Sequence, residues 1–501
     1  MLDSRWLQAL LCTVAFVVTI IYLGQTAFAG YLGFPLDDAW IHQTYARNLA
    51  RWGELAYVRG QLSAGSTAPL WTIVLSVGYL LGVDGRLWAY LVGATCLVWM
   101  ASIVYRLASL LWPDRVWTAS AVAIFCALEW HLIWAAFSGM EILLFISLSL
   151  LLMDQAMTGG RPFWIGLLGS LLVLTRPEGI VLFLLVVVFI LLPEEERSWH
   201  WTSVSPMLAG FSLLVVPYLV YNVIVSGALF PNTFYAKQAE YRVLLEGLPL
   251  WARLWRVVRP TLVGAQVLLV PGFIYVVWHE VRRLFAARGE LAPRKLLVPF
   301  LPLLWWAAML GIYALRLPVD YQHGRYLIPT IPLFILYGVT GMGEMLQPRS
   351  ERVVVRIVSQ VVLGATGALL LAFVFMGGVA YSRDVRVIEC EMVDVARWLA
   401  EHAPPDALIA AHDIGAIGYF AERPLLDLAG LITPQVIPFI RDEARLLDFV
   451  QERGADYLVT SPSWYPQMVR DPSLKLVYNT RCPWTVALGH DNMAVYRVSS
   501  E

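Results

Sequence analysis

The long apolar runs of this 501-residue chain all fall within residues 1–378. A helix needs roughly 20 apolar residues to cross a bilayer core of about 30 Å. Runs at 7–27, 87–110, 116–137, 141–157, 163–175, 180–193, 205–226, 261–279, 297–316, 326–346 and 354–379 give eleven candidate spans. The pair at 163–175 and 180–193 is short and flanks a polar break. Residues 69–82 form a further, shorter apolar stretch, read as an interfacial or re-entrant helix.

Composition agrees. The chain is 59% hydrophobic and 15% charged, where soluble domains carry about 25% charged residues. This excludes a disordered chain, a basic nucleic-acid-binding domain and a small disulfide scaffold. A net charge of −1 implies no bulk electrostatic partner, and none that is a nucleic acid. The 21 Trp and 22 Tyr suit interfacial anchoring belts.

From about Tyr381 the composition becomes that of a soluble domain, with loop signals at Pro404-Pro405 and Ser461-Pro462-Ser463. The expected fold is an α-helical polytopic membrane protein of about eleven transmembrane helices. Residues 1–379 form the membrane domain, with a first outer loop at 28–86, and residues 380–501 form a C-terminal α/β soluble domain on the outer side. Short buried strands are expected at 407–411, 425–428 and 457–460, with helices at 391–402 and 444–453.

Charge sets the orientation. The loop from His279 to Lys295 carries Arg282, Arg283, Arg288, Arg294 and Lys295, and a second holds Arg349, Arg352 and Arg356. With eleven spans and Arg5 inside, both loops are cytoplasmic, as the positive-inside rule asks. Counting 69–82 as a span would invert the loops C-terminal to it. Ala27-Phe28-Ala29 looks like a signal-peptidase site, but the apolar run before it exceeds the 7–15 residues of a signal peptide, so an uncleaved anchor is expected. Cys12, Cys96 and Cys126 lie in apolar spans; Cys390 and Cys482 fall in the outer domain, where an oxidising compartment would let them pair.

The eleven-span layout gathers the unusual polar residues on one face: Asp37-Asp38, Ser138-Gly139-Met140-Glu141, Arg176-Pro177-Glu178-Gly179, Asn232 with Lys237, and Asp320 through His323 to Arg325. Charge at membrane depth is expensive and usually functional, so a single polar cavity is expected. Ile41, Tyr45, Leu49 and Trp52 give residues 38–52 an amphipathic helical period, with Arg47 and Arg51 elsewhere on its surface. Asp37 and Asp38 open it. One Asp suffices as an N-cap, which leaves the second to be explained, and a general base at the membrane edge is the functional alternative.

Arg176, Lys237 and Arg325 suit a substrate phosphate; the plainer reading is an outer-face anchor or an ion pair with Glu178 or Asp320. Glu141 and Glu178 are ion-pair partners, or orient the sugar or the basic residues. His323 is the one candidate metal ligand, but with Asp37 and Glu141 it forms no metal signature by spacing. No cofactor is therefore expected, with a divalent metal as the alternative. Glycine-rich nucleotide loops, paired-Cys motifs, nucleophile elbows and His-Glu-x-x-His are missing from the sequence.

The first outer loop, Asp37-Asp38-Ala39-Trp40-Ile41 through Tyr45-Ala46-Arg47-Asn48-Leu49 and Gly53, followed by Gly65-Ser66-Thr67-Ala68-Pro69-Leu70-Trp71, resembles the opening of GT-C membrane glycosyltransferases. The arabinofuranosyl- and mannosyltransferase-like bacterial members are the nearest in pattern. Ser138-Gly139-Met140-Glu141, Arg176-Pro177-Glu178-Gly179, Pro231-Asn232-Thr233 with Lys237, Arg325-Tyr326-Leu327-Ile328-Pro329 and Asp413-Ile414-Gly415-Ala416-Ile417-Gly418-Tyr419 resemble further landmarks, in order along nearly the whole chain. The resemblance implies a GT-C-like membrane domain with an outer cavity, in the cytoplasmic (inner) membrane. It implies a polyprenyl-phosphate sugar donor and a glycan, lipid or protein acceptor outside. It also implies that the first acid of the outer loop, Asp37, is the base. Relatives have Asp-Glu where this chain has Asp-Asp, so the role of Asp38 is left open.

The chemistry is consistent with that site. A carboxylate takes the acceptor hydroxyl proton, basic side chains neutralise the departing lipid phosphate, and single displacement inverts the anomeric centre. The competing reading is a carrier or flippase for lipid-linked glycans, which would be expected to show repeat symmetry and broken helices near the midplane.

Overall fold

The computed structural model describes residues 4–193, 202, 204–286 and 292–499; Arg288 of the basic loop lies outside them. Five helices are each long and apolar enough to cross a bilayer: Arg5–Phe28, Gly85–Leu111, Val204–Ser226, Tyr321–Met345 and Val353–His402. Two bent pairs, Trp117–Leu128 with Trp130–Phe137 and Leu250–Leu262 with Ala265–Ala286, bring the number to as many as seven. The chain is thus a multi-pass membrane protein. The expected count of eleven requires the shorter apolar helices Ile142–Met157, Pro162–Thr175, Gly179–Leu191 and Phe300–Arg316 to be spans as well. Pro69–Leu80 is also a short helix.

The run at 116–137, expected as one helix, bends by 51°. Its cause is Glu129, whose backbone is extended between the two halves. The fully buried Glu129 carboxylate accepts from the Leu132 amide (2.9 Å) and from Gln266 Nε2 (3.0 Å), and lies 2.7 Å from His131 Nδ1. A buried carboxylate left unpartnered is costly, and breaking the helix releases the amide that partners it.

Elsewhere small residues let backbones meet, as membrane helices commonly require. A Cβ on Gly166 would strike the Met207 carbonyl oxygen, and one on Gly210 would strike that of Phe163. This reciprocal contact seats Pro162–Thr175 against Val204–Ser226.

The first loop carries the Asp37–Trp52 helix, closed by Gly53 in the left-handed region, and a hairpin of β1 (Ala56–Val58) and β2 (Gln61–Leu62). The Val353–Ile388 helix passes uninterrupted through residue 380 and leads, through a π-turn at Glu389–Val393, into helix Asp394–His402. A five-stranded sheet comes next: β3 (Ile409–Ala411), β4 (Leu425–Asp427), β5 (Tyr457–Thr460), β6 (Leu474–Asn479) and β7 (Ala494–Val498), in the order β4-β3-β5-β7-β6. The pairs β3–β4 and β3–β5 are parallel, while β7 runs antiparallel to both β5 and β6. The first three strands fall where the sequence places them; β6 and β7 are additional. Cys390 and Cys482 form a disulfide.

The Asp37–Trp52 helix is a buried hinge-pin and not an exposed amphipathic helix: every residue from Ala39 to Asn48 is buried. Trp40 packs on Tyr419 and Phe420 of the sheet domain, at 4.9 and 4.7 Å between ring centroids. Arg47, expected on the surface, is buried. It donates to the carbonyls of Tyr419 (2.8 Å) and Gly418 (3.3 Å) and pairs with Glu422 at 2.7 Å. Tyr57 Oη donates to the Ile414 carbonyl at 2.5 Å.

Candidate functional site

A cavity of about 340 Å³ opens where the first loop meets the ends of several membrane helices. Its polar lining includes Asp38 and His42 from the Asp37–Trp52 helix, Ser66 and Thr67, Glu141, Arg176 and Glu178, Thr233 and Lys237, Tyr313, and Arg325 with Tyr326. Ile41, Ile142, Ile180, Val181, Phe230, Phe234 and Ile312 supply an apolar flank. Segments far apart in sequence are tied together around it. Thr233 Oγ1 donates to the Gly65 carbonyl at 2.7 Å, and the Asn232 amide donates to the Ala64 carbonyl at 3.1 Å.

Two cationic clusters face this space. Arg325 pairs with Asp38 and donates to Tyr326 Oη at 3.1 Å, and Lys237 Nζ donates to the same phenol at 2.5 Å. Burial by itself would raise the Asp38 carboxyl. The Arg325 guanidinium and the Lys237 ammonium outweigh it and hold Asp38 well below the usual carboxylate range. Arg176 Nε lies 3.2 Å from Glu178 and 3.7 Å from Glu141, and one terminal nitrogen donates to Tyr313 Oη at 2.9 Å. The other terminal nitrogen of Arg176, and both Nε and one terminal nitrogen of Arg325, are buried without a protein partner. Buried guanidinium donors left open in this way suit a bidentate anion such as a phosphate.

The two adjacent acids have opposite surroundings. Asp38 lines the cavity; Asp37 does not. The Asp37 carboxylate turns to the sheet domain and accepts the amides of Gly415 (2.7 Å) and Ala416 (2.8 Å). A Cβ on Gly415 would strike the Asp37 carbonyl, so only glycine admits this approach. Burial pushes the Asp37 carboxyl well above its ordinary value, with the Asp413 carboxylate adding to the shift and the two amides opposing it. Neither acid is a side-chain N-cap; Leu36 holds that position.

Three other expected residues lie off the cavity. Asp320 is held by Arg256 at 2.9 Å and Arg259 at 2.5 Å. His323, in a left-handed backbone turn, lies 2.8 Å from Asp384, which also accepts from Trp134 Nε1 at 2.9 Å. Asn232 Nδ2 donates to the Leu431 carbonyl at 3.1 Å. Among the described residues, no group of three or more His, Cys, Asp or Glu is placed to hold a metal.

Glu141, Arg176, Glu178, Lys237 and Arg325 do converge on the cavity. His42, Tyr313 and Tyr326 are additions. His42 Nε2 lies 3.5 Å from Glu141 and sits four residues after Asp38, so a shared helical face was available as a signal. Tyr313 sits inside an apolar run that offers none.

Solved membrane glycosyltransferases share this architecture. ArnT from Cupriavidus metallidurans, bound to undecaprenyl phosphate, aligns over 98% of this chain and 97% of its own, with a TM-score of 0.56 and 16% identity. The chain has the GT-C fold. The apo oligosaccharyltransferase of Archaeoglobus fulgidus aligns over 92% of this chain and 70% of its own, with a TM-score of 0.61 and 11% identity. The arabinofuranosyltransferase AftD from Mycobacteria aligns over all of this chain and 40% of its longer one, with a TM-score of 0.53 and 17% identity. Residues 380–496 match a family described as a domain of unknown function (DUF8728). No curated protein matches by sequence.

Proposed function

We propose that this chain is an inverting membrane glycosyltransferase that moves a sugar from a polyprenyl-phosphate donor to a glycan, lipid or protein acceptor. The cavity and the sheet domain lie on the outer side of the cytoplasmic membrane, in a layout of eleven spans with the basic loops inside. The observation that carries the reading is the Asp38–Arg325 pair lining a cavity with open guanidinium donors. The GT-C fold, and the lipid phosphate bound by ArnT, support it.

In this scheme Asp38, rather than Asp37, is the general base, because only Asp38 faces the cavity. The acceptor oxygen attacks the anomeric carbon as its proton passes to Asp38. The carbon–oxygen bond to phosphate breaks, and the phosphate oxygen keeps the electron pair. Arg325, Lys237 and Arg176 neutralise the charge that develops there, as preorganised donors do. Donor phosphate and Asp38 compete for Arg325, so donor binding loosens the ion pair and makes Asp38 a stronger base when the acceptor arrives. Glu141 and Glu178 hold Arg176, and Asp37 positions Asp38 by fixing the start of the helix. The apolar flank receives the first isoprene units.

The test is transfer from a panel of radiolabelled polyprenyl-phosphate sugars in membranes carrying wild type, Asp38→Asn or Asp37→Asn. Transfer by wild type that is abolished in Asp38→Asn supports the proposal. Lipid-linked glycan bound by all three chains, with no transfer from any donor, would favour a carrier.

A further inference from the structure

A second cavity, of about 600 Å³, lies at the domain end of the apolar surface, between the Ser4–Phe28 helix, the Val353–Ile388 helix and the short helix Pro483–Ala487. It shares no lining residue with the cavity around Asp38. Three of its lining residues carry a buried polar atom without a partner: Gln25 Oε1, Ser382 Oγ and Arg386 Nε. Ser382 is only 4% exposed. Arg383 lines the same cavity, and among the described residues no carboxylate lies within ion-pair distance of Arg383 or Arg386. The Arg386 guanidinium rests 5.1 Å from the Trp484 ring centroid.

The opposite flank is apolar and open. Phe28 is 97% exposed, and Val379, Trp484 and Leu488 are also exposed. Along the Val353–Ile388 helix the exposed apolar side chains continue to Val379, and the arginines begin one turn later. That succession of surfaces matches a bilayer boundary, with acyl chains below and headgroups above.

We propose that this cavity is a binding site for an anionic glycerophospholipid. Its phosphate sits between Arg383 and Arg386, with Ser382 Oγ donating to it. A headgroup hydroxyl donates to Gln25 Oε1, and an acyl chain lies over Phe28 and Val379. Charge complementarity selects the anionic headgroup, since two arginines without acids have nothing else to neutralise them. The exposed apolar flank selects a lipid over a free anion. The proposal is independent of the glycosyltransferase reading.

The full chain, purified in detergent, is titrated with dioleoyl phosphatidylglycerol and monitored by native mass spectrometry. Dioleoyl phosphatidylcholine serves as the zwitterionic control. A diazirine-bearing phosphatidylglycerol locates the site by peptide mapping on the wild-type chain. Wild type is expected to retain phosphatidylglycerol in preference to phosphatidylcholine, with crosslinks in residues 379–388 or 484–488. R383Q/R386Q is expected to weaken retention about tenfold, as loss of charge-assisted bonds implies. The milder Ser382→Ala should weaken it less, and R352Q/R356Q, at the other end of the same helix, should leave it unchanged. Equal retention by R383Q/R386Q, equal binding of phosphatidylcholine, or crosslinks elsewhere would overturn the proposal. So would displacement of the lipid by millimolar inorganic phosphate, which would mark a free-anion site.

Discussion

The Asp37 carboxylate accepts the Gly415 amide at 2.7 Å across 378 residues of sequence. With the Ala416 amide at 2.8 Å it pins the sheet domain to the first loop, directly beside the cavity acid Asp38. Replacing Asp37 by Ala leaves two amides without their acceptor. A buried amide left without its acceptor costs about 1–3 kcal/mol, so Asp37→Ala, which orphans two, should destabilise the domain contact by about 2–6 kcal/mol. Limited proteolysis should then release residues beyond 402 faster than in wild type. Unchanged proteolysis and thermal unfolding would contradict this role.

The same contact should respond to pH. Burial raises the Asp413 carboxyl to about 7, and Asp38 and Glu240 add to the shift. A carboxyl whose folded value lies above its unfolded one binds its proton more tightly in the folded state. Its stabilising contribution is therefore complete below about pH 4 and is lost as pH rises through about 7. Thermal unfolding should show the domain loosening as pH rises from about 4 to about 7, and no further loosening from this group above that. Asp413→Asn should flatten that dependence, and a dependence of equal size in the variant would exclude Asp413 as its source.

Arg325 should resist conservative replacement. One terminal nitrogen reaches both Asp38 and Tyr326, which leaves Nε and the other terminal nitrogen without a protein partner; lysine offers a point charge and no such free edge. Arg325→Lys should lose about 1.5–3 kcal/mol of transition-state stabilisation, read as kcat/KM for the polyprenyl-phosphate donor. Full activity in Arg325→Lys would show that charge alone suffices.

Cys390 and Cys482 close a loop of 92 residues that contains most of the sheet domain. A native disulfide around a loop of that size stabilises by about 2–5 kcal/mol. Reduction, or Cys482→Ser, should lower the unfolding temperature of the sheet domain, measured by calorimetry with and without reductant. The membrane helices should unfold as before.

Much of the fold is legible in the residues. Apolar runs locate the helices because lipid and core demand the same side chains, and β3, β4 and β5 show as short buried runs. Strand β6 does not follow that rule: its central Leu476 and Val477 are exposed, so its apolar residues mark no buried run. The break at Glu129 is hidden inside an apolar window, because its partners His131 and Gln266 make sense only in three dimensions. The site acids stand out as a pair, but sequence does not say which faces the cavity: adjacent helical positions point about 100° apart, and only the docking of Gly415 fixes the rotation. Asp320 and His323 look equivalent to Arg325 in sequence, yet a left-handed turn at Gln322 and His323 sends them to Arg256, Arg259 and Asp384 instead.

The assignment of the base is tested most directly by comparing Asp38→Asn with Asp37→Asn in single-turnover transfer from a polyprenyl-phosphate sugar that wild type uses. Donor binding is measured in parallel. With Asp38 as base, Asp38→Asn should bind donor yet lose about 10²–10⁴ in rate, while folded Asp37→Asn should keep most of its turnover. The reverse pattern, with Asp37→Asn inactive and Asp38→Asn near wild type, would contradict the assignment.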